Sequence, residues 1–239
     1  DPGIGAGDGF VLGRGGSVLW VGWQWDVVRS AGRLGVEAPL ARIDGRPITG
    51  LTRVEFMPQT WQADHVLADS VPPIFTFAPL PTVEIDDPDA VLTVRTSLFG
   101  PREVIPRDRW RFARVVDGDV APSATHVWLD GGFAPFHTYD LVYRTDHSVV
   151  AGVGQLAVRD AAAFVRDHHG TRHTVAFGAS QSGRFLRQML RDGAHADERG
   201  RRVIDGMYIS IAGARLGEFT QRFAQPALAY ALGVRHVRL

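Results

Sequence analysis

Thr174-Val-Ala-Phe-Gly-Ala-Ser-Gln-Ser-Gly-Arg184 is the stretch that decides how this chain is read. A short β-rich apolar run, Thr174 to Phe177, leads into four small or polar residues. From Ser182 to Arg191 the pattern becomes helical, with Phe185, Leu186, Met189 and Leu190 on one side. Strand, tight turn and helix form the setting in which a serine is lifted out of a sheet on strained dihedrals. Strand and helix then pass within contact distance, so the residues flanking the serine must be small. Gly178 lies two before Ser180, and Ser182 and Gly183 lie two and three after it. The usual spacing is G-x-S-x-G; this chain reads G-A-S-Q-S-G, with Ser182 in place of the second glycine and Gly183 adding room. Ser180 is therefore the candidate nucleophile, its Oγ directed to the C-terminal ends of the strands. The backbone N–H of Gln181, at the helix N-terminus, is the candidate oxyanion donor. The bland alternative is a Gly/Ser-rich turn without chemistry, and it is the placement between strand and helix that argues against it.

Working outward, Phe10 to Gly16 reads as the end of a short helix closed by glycines. Ser17 to Gly22 reads as a buried strand, with Trp23-Gln-Trp-Asp26 at its C-terminal end. Between about residues 30 and 150 prolines cluster (Pro72, Pro73, Pro79, Pro81, Pro88) and short alternating segments appear, such as Val91–Ser97 and Trp110–Val116. Those signals predict a β-rich insertion. Leu156 to His168 is amphipathic and predicts a helix ended by His168, His169 and Gly170. Gly206 to Ala212 predicts another strand. The expected organisation is residues 1–29 as the start of an α/β core, 30–148 as the insertion and 149–239 as the rest of the core.

Composition narrows the chemistry. All 26 basic residues are Arg, so Schiff-base and Walker-lysine mechanisms are excluded; Cys is absent, which removes disulfides, thiolate metal sites and Cys nucleophiles. The formal charge of zero and the lack of a basic stripe argue against a nucleic-acid partner. No apolar run is long enough to span a bilayer, and the chain is read as soluble with no membrane span.

Three other constellations compete. Gly152-Val-Gly-Gln-Leu-Ala157 has the form G-x-G-x-x-A of a dinucleotide fingerprint, but the next strand ends Phe-Gly-Ala-Ser with no carboxylate for a ribose. His168, His169 and His173 straddle a helix end and a loop and lack a second ligand cluster, so no metal is expected. Asp86, Asp87 and Asp89 surround Pro88 as a turn rather than a calcium loop. Trp23 and Trp25 either line a pocket near Ser180 or belong to the core.

Several segments together resemble a bacterial α/β-hydrolase-domain family. They are Gly9 to Gln24; Gly132-Phe-Ala-Pro with Tyr139 and Tyr143; Gly152-Val-Gly with Ala157-Val-Arg-Asp160; Gly178-Ala-Ser-Gln-Ser-Gly-Arg184; Ile211-Ala-Gly-Ala-Arg215 with Gly217-Glu-Phe; and Arg222-Phe-Ala-Gln-Pro226. The resemblance implies an α/β-hydrolase fold, a parallel sheet flanked by helices, carrying the β-rich insertion. It implies a serine hydrolase acting on small carboxylic esters without cofactor or metal, and an elbow in which Ser182 is a regular member. It also implies a chain truncated at both ends, with the loop giving the second oxyanion N–H before residue 10. Triad order in this fold is Ser, then acid, then His. Glu218 and His236 are the in-chain candidates, although at roughly 20–25 residues per strand–helix unit the acid and base are expected beyond Leu239. A non-catalytic module on the same fold and a dinucleotide-dependent oxidoreductase remain the alternatives.

Overall fold

The computed structural model describes residues 9–68, 77–97, 100–214 and 216–225. A one-turn helix, α1 (Phe10–Gly13), opens the described chain. Then come β1 (Arg42–Ile43), β2 (Arg46–Pro47), β3 (Gly50–Phe56), β4 (Gln62–Val66), β5 (Val91–Arg95), β6 (Glu103–Val104), β7 (Trp110–Arg111), β8 (Ala113–Val116), β9 (Asp119–Pro122), β10 (His126–Phe133) and β11 (Thr138–Thr145). The last part is helical and parallel: α2 (Val153–His169), β12 (Val175–Ala179), α3 (Gln181–Arg191) and β13 (Gly206–Ser210).

The β-rich part rests on an antiparallel four-stranded sheet ordered β3-β11-β5-β6 and a three-stranded one ordered β4-β10-β7. Register decides what each face of the first sheet carries. Val54 pairs with Leu141 and Leu141 with Leu92; Phe56 pairs with Tyr139 and Tyr139 with Val94. These rows face a core completed by Leu67, Trp110, Phe112, Val127, Leu129 and Phe133. Tyr139 and Tyr143 are core residues with their hydroxyls satisfied. Tyr139 Oη accepts the Ala134 N–H at 2.8 Å, and Tyr143 Oη donates to the Leu80 carbonyl at 2.7 Å. Burial raises both phenols above their ordinary value, so neither ionises at neutral pH.

The opposite face holds charges. Glu55 pairs with Asp140, and both are buried with Arg95, while Arg53 and Arg102 approach from the rim. Arg53 bonds Asp140 and, at 2.6 Å, Glu55; Arg95 reaches Glu55 at 2.9 Å and Asp140 at 3.5 Å. Burial alone would push the Asp140 carboxyl up, but Arg53 and Arg102 outweigh it and hold it below its ordinary value.

The second core belongs to the helical part. Phe185, Leu186 and Met189 of α3 pack with Ala162 of α2, Val203, Ile204 and Phe219, and Trp23 closes against them. β12 and β13 are parallel in register from Val175 opposite Gly206 to Ala179 opposite Ser210, with α3 as the crossover helix. Among the described residues they are the parallel strands; the remaining pairings are antiparallel.

Most sequence-derived elements appear within two residues of their expected ends, α2 starting three earlier at Val153. Gly170, at φ 62°, caps α2 as expected. Ser17 to Gly22 is the exception. It forms no strand; Val18, Leu19 and Trp20 are exposed. Its apolar, β-favouring residues meet the local requirement, but no described strand lies alongside to share a ladder, and a strand without one is not stable.

Candidate functional site

β12 delivers the chain to Ser180 and α3 takes it away. Ser180 has φ 54° and ψ −116°, far from the regions open to a residue with a Cβ, and is exposed. Two backbone bonds hold it there. Its N–H donates to the Ser210 carbonyl at 3.0 Å, tying it to the end of β13, and its carbonyl accepts the Arg184 N–H at 3.0 Å, opening α3. Such strain persists only where the surroundings over-determine it.

Small residues make the turn possible. A Cβ on Gly178 would lie 2.6 Å from the Ser182 carbonyl oxygen and 2.8 Å from its carbon. A Cβ on Gly183 would lie 2.9 Å from the carbonyl oxygens of both Gly178 and Ser210. Gly178 and Gly183 are thus the pair that lets strand and helix touch. Ser182 has another partner: its Oγ accepts the Trp23 indole N–H at 3.3 Å.

Trp23 and Trp25 lie together beside the helical core. Trp23 is half-buried and packs against the core, stacked on Phe185 at 4.3 Å and edge-on to Phe219 at 5.1 Å. With Trp25 it lines a cavity of about 10 Å³, room for no more than one water. A shallow groove of about 250 Å³ beside Ile43, Ile48 and Arg222 is the larger depression, and Ser180 lines neither.

Sequence reasoning missed Ile211. It follows β13 directly, has φ 42° and is 81% exposed. A β-branched residue at positive φ is a true outlier. Two strained residues therefore stand side by side at the C-terminal ends of the parallel pair, joined by the bond from Ser180 to Ser210. An apolar residue inside a segment read as strand, Gly206 to Ala212, carries no local signal of this.

The loop after β13 is tied to α3: Arg187 bonds the Gly213 carbonyl, and Gln188 Nε2 donates to Thr220 Oγ1 at 3.1 Å. Glu218 lies in that loop, half-buried. His236 lies outside the described residues, as do Arg215 and Pro226. Among the described residues no imidazole hydrogen-bonds Ser180. His65 and His126 belong to the β-rich part, and His168 and His169 end α2.

The glycines of the fingerprint-like stretch do structural work. Gly152, at φ 89°, caps α2, and a Cβ on Gly154 would lie 2.3 Å from the Trp23 carbonyl oxygen. Asp87 Oδ1 accepts the Asp89 N–H at 2.9 Å, the turn expected around Pro88. Among the described residues no group of three metal-binding side chains converges, and no helix is long and apolar enough to cross a membrane.

No curated protein and no solved structure matches the chain. A family match exists for somewhat under half of it, from Gly132 in β10 through β13 and on past the described residues, and it supports hydrolase chemistry in general. Residues 132–237, the Ser180 turn included, match the family model described as alpha/beta hydrolase domain.

Proposed function

We propose that the protein is a serine hydrolase acting on small carboxylic esters by acyl transfer, with Ser180 as nucleophile. The observation that carries this reading is the Ser180 backbone, strained at φ 54° and ψ −116° between a parallel strand and the helix that follows it. A residue pays for such dihedrals only where its neighbours impose them, and an exposed hydroxyl is the group so presented.

In the proposed reaction Ser180 Oγ attacks the ester carbonyl carbon while a histidine accepts its proton. The Gln181 backbone N–H stabilises the oxyanion. The histidine then protonates the leaving alkoxide, and an acyl-serine forms. Water, deprotonated by the same base, releases the carboxylic acid and restores the serine. A carboxylate orients the histidine, and Glu218 is the first carboxylate in the sequence after β13. His236 is the histidine that follows it.

The domain reading goes with this proposal. Residues 1–29 and 149–239 form the hydrolase core, and 30–148 a β-rich insertion that shapes access to it. Trp23 packing on Phe185 and Phe219 supports the first grouping. A buried cluster drawn entirely from residues 54–143 supports the second. A parallel sheet flanked by helices is the fold proposed for the core, and β12, α3 and β13 are its crossover unit.

A fluorophosphonate probe tests the chemistry. The full-length protein should be labelled at Ser180, and Ser180→Ala should abolish the label. Absence of label on the wild type would sink the proposal.

A further inference from the structure

We propose that Trp23 is a positioning residue for the Ser180 turn, acting through Ser182; the inference rests on reading Ser180 as the nucleophile. Trp23 and Ser182 are 159 residues apart, and the indole N–H donates to Ser182 Oγ at 3.3 Å. The indole is held by two rings, and the Trp23 backbone by a close approach to α2. The indole stacks on Phe185 with an interplanar angle of 18° and meets Phe219 at 86°, and the Trp23 carbonyl oxygen lies 2.3 Å from where a Cβ on Gly154 would sit.

The arrangement accounts for the serine at position 182. The close approach of strand and helix falls on Gly178 and Gly183, so no second glycine is needed two residues after Ser180. Position 182 can instead carry a hydroxyl that accepts a bond from outside the helix. The first turn of a helix lacks the i−4 partners that hold later turns, so a tie at this point restricts it. Gln181 and the ψ of Ser180 belong to that turn. Holding Ser182 therefore holds both the oxyanion donor and the direction of Oγ. Preorganised groups of this kind act on the transition state and leave ground-state binding largely unchanged.

The test is fluorophosphonate labelling of the full-length protein over a range of probe concentrations, which separates the maximal rate from the half-saturating concentration. Trp23→Phe keeps the stacked ring and removes the N–H. Ser182→Ala removes the acceptor, and Ser182→Thr keeps a hydroxyl. Trp23→Phe and Ser182→Ala should each lower the maximal rate roughly five- to tenfold, with the half-saturating concentration and the unfolding midpoint unchanged. The double variant should be no slower than either single one, and Ser182→Thr should recover most of the rate. Wild-type rates in the variants, or losses that multiply in the double variant, overturn the positioning role while leaving Ser180 as nucleophile. A rate that falls only together with the unfolding midpoint overturns it in favour of a structural role. A wild type without label at Ser180 overturns both readings.

Discussion

The sheet of β3, β11 and β5 and the parallel pair of β12 and β13 solve the problem of their second face in opposite ways. In the first, both faces are buried, one by apolar rows and the other by arginines and carboxylates. In the second, Ala176, Met207 and Ile209 pack against the core beneath α3, while Val175, Phe177 and Tyr208 on the other side are 67%, 66% and 64% exposed. The difference assigns roles. Charges closed over by a sheet hold one another, whereas the strained serine sits where burial is one-sided and a few backbone bonds impose its conformation. Buried charge belongs to the β-rich part and backbone strain at an exposed serine to the helical part.

Gly178→Val would break that division most severely. Its side chain would run into the Ser182 carbonyl, which backbone cannot yield cheaply. A loss of about 3 kcal/mol or more is expected, with complete loss of labelling. Urea unfolding should be followed both by the burial of Trp23 and by protection of the β11 amides. Loss confined to the Trp23 signal would sharpen the comparison, and equal loss in both would show one cooperative unit.

Acid should act on the other region. His65 is stacked on Phe56 at 3.8 Å, and burial, with repulsion from His126, lowers its pKa to about 3. The folded protein thus leaves His65 neutral while the unfolded chain protonates it near 6.5. Stability from this group is complete above that value and declines as pH falls from about 6.5 to about 3, by on the order of 1 kcal/mol per pH unit. Asp140, held below its ordinary value, adds its own loss only under more acid conditions. His65→Gln should flatten the slope of β-rich unfolding across the upper window, and an unchanged slope would place the acid sensitivity elsewhere.

How far the sequence went follows from the range of each signal. The strand, turn and helix around Ser180 are local, and G-A-S-Q-S-G announced them. The segments 91–97 and 110–116 likewise contain strands because alternation and turn residues are neighbours in the chain. Arg53, Glu55, Arg95 and Asp140 each look like solvated charges; only the register that sets Glu55 opposite Asp140 reveals a buried cluster with Arg53 at its rim. Ser17 to Gly22 failed for the complementary reason, since its composition suits a strand but a ladder needs a second one. Nothing local in the sequence assigns Trp23 to core or pocket, because its bond to Ser182 spans 159 residues. The family match took in Ser180 but begins well after Trp23.

Ser180→Gly separates strain from chemistry. A glycine takes φ 54° without a Cβ penalty, so the variant should be about 1 kcal/mol more stable than wild type while labelling disappears. Thermal unfolding measures the first and the fluorophosphonate probe the second. A destabilised variant would mean that the serine side chain contributes more to the turn than its dihedrals cost.

The smallest effect belongs to the uncovered face. Phe177 and Tyr208 stack on each other at 5.6 Å and point away from α3, so removing one ring gives up a surface contact and little burial. Phe177→Ser should change stability by no more than about 0.5 kcal/mol, and Ala176→Ser, one residue along and turned toward the core, should cost more. An exposed stretch of aromatic and β-branched side chains on an open two-stranded sheet favours contact with another such surface. Phe177→Ser should therefore also lower self-association, measured by sedimentation at rising protein concentration. If it instead costs well over 1 kcal/mol and leaves sedimentation unchanged, the face is covered in solution, and the parallel pair is buried on both sides as the antiparallel sheet is.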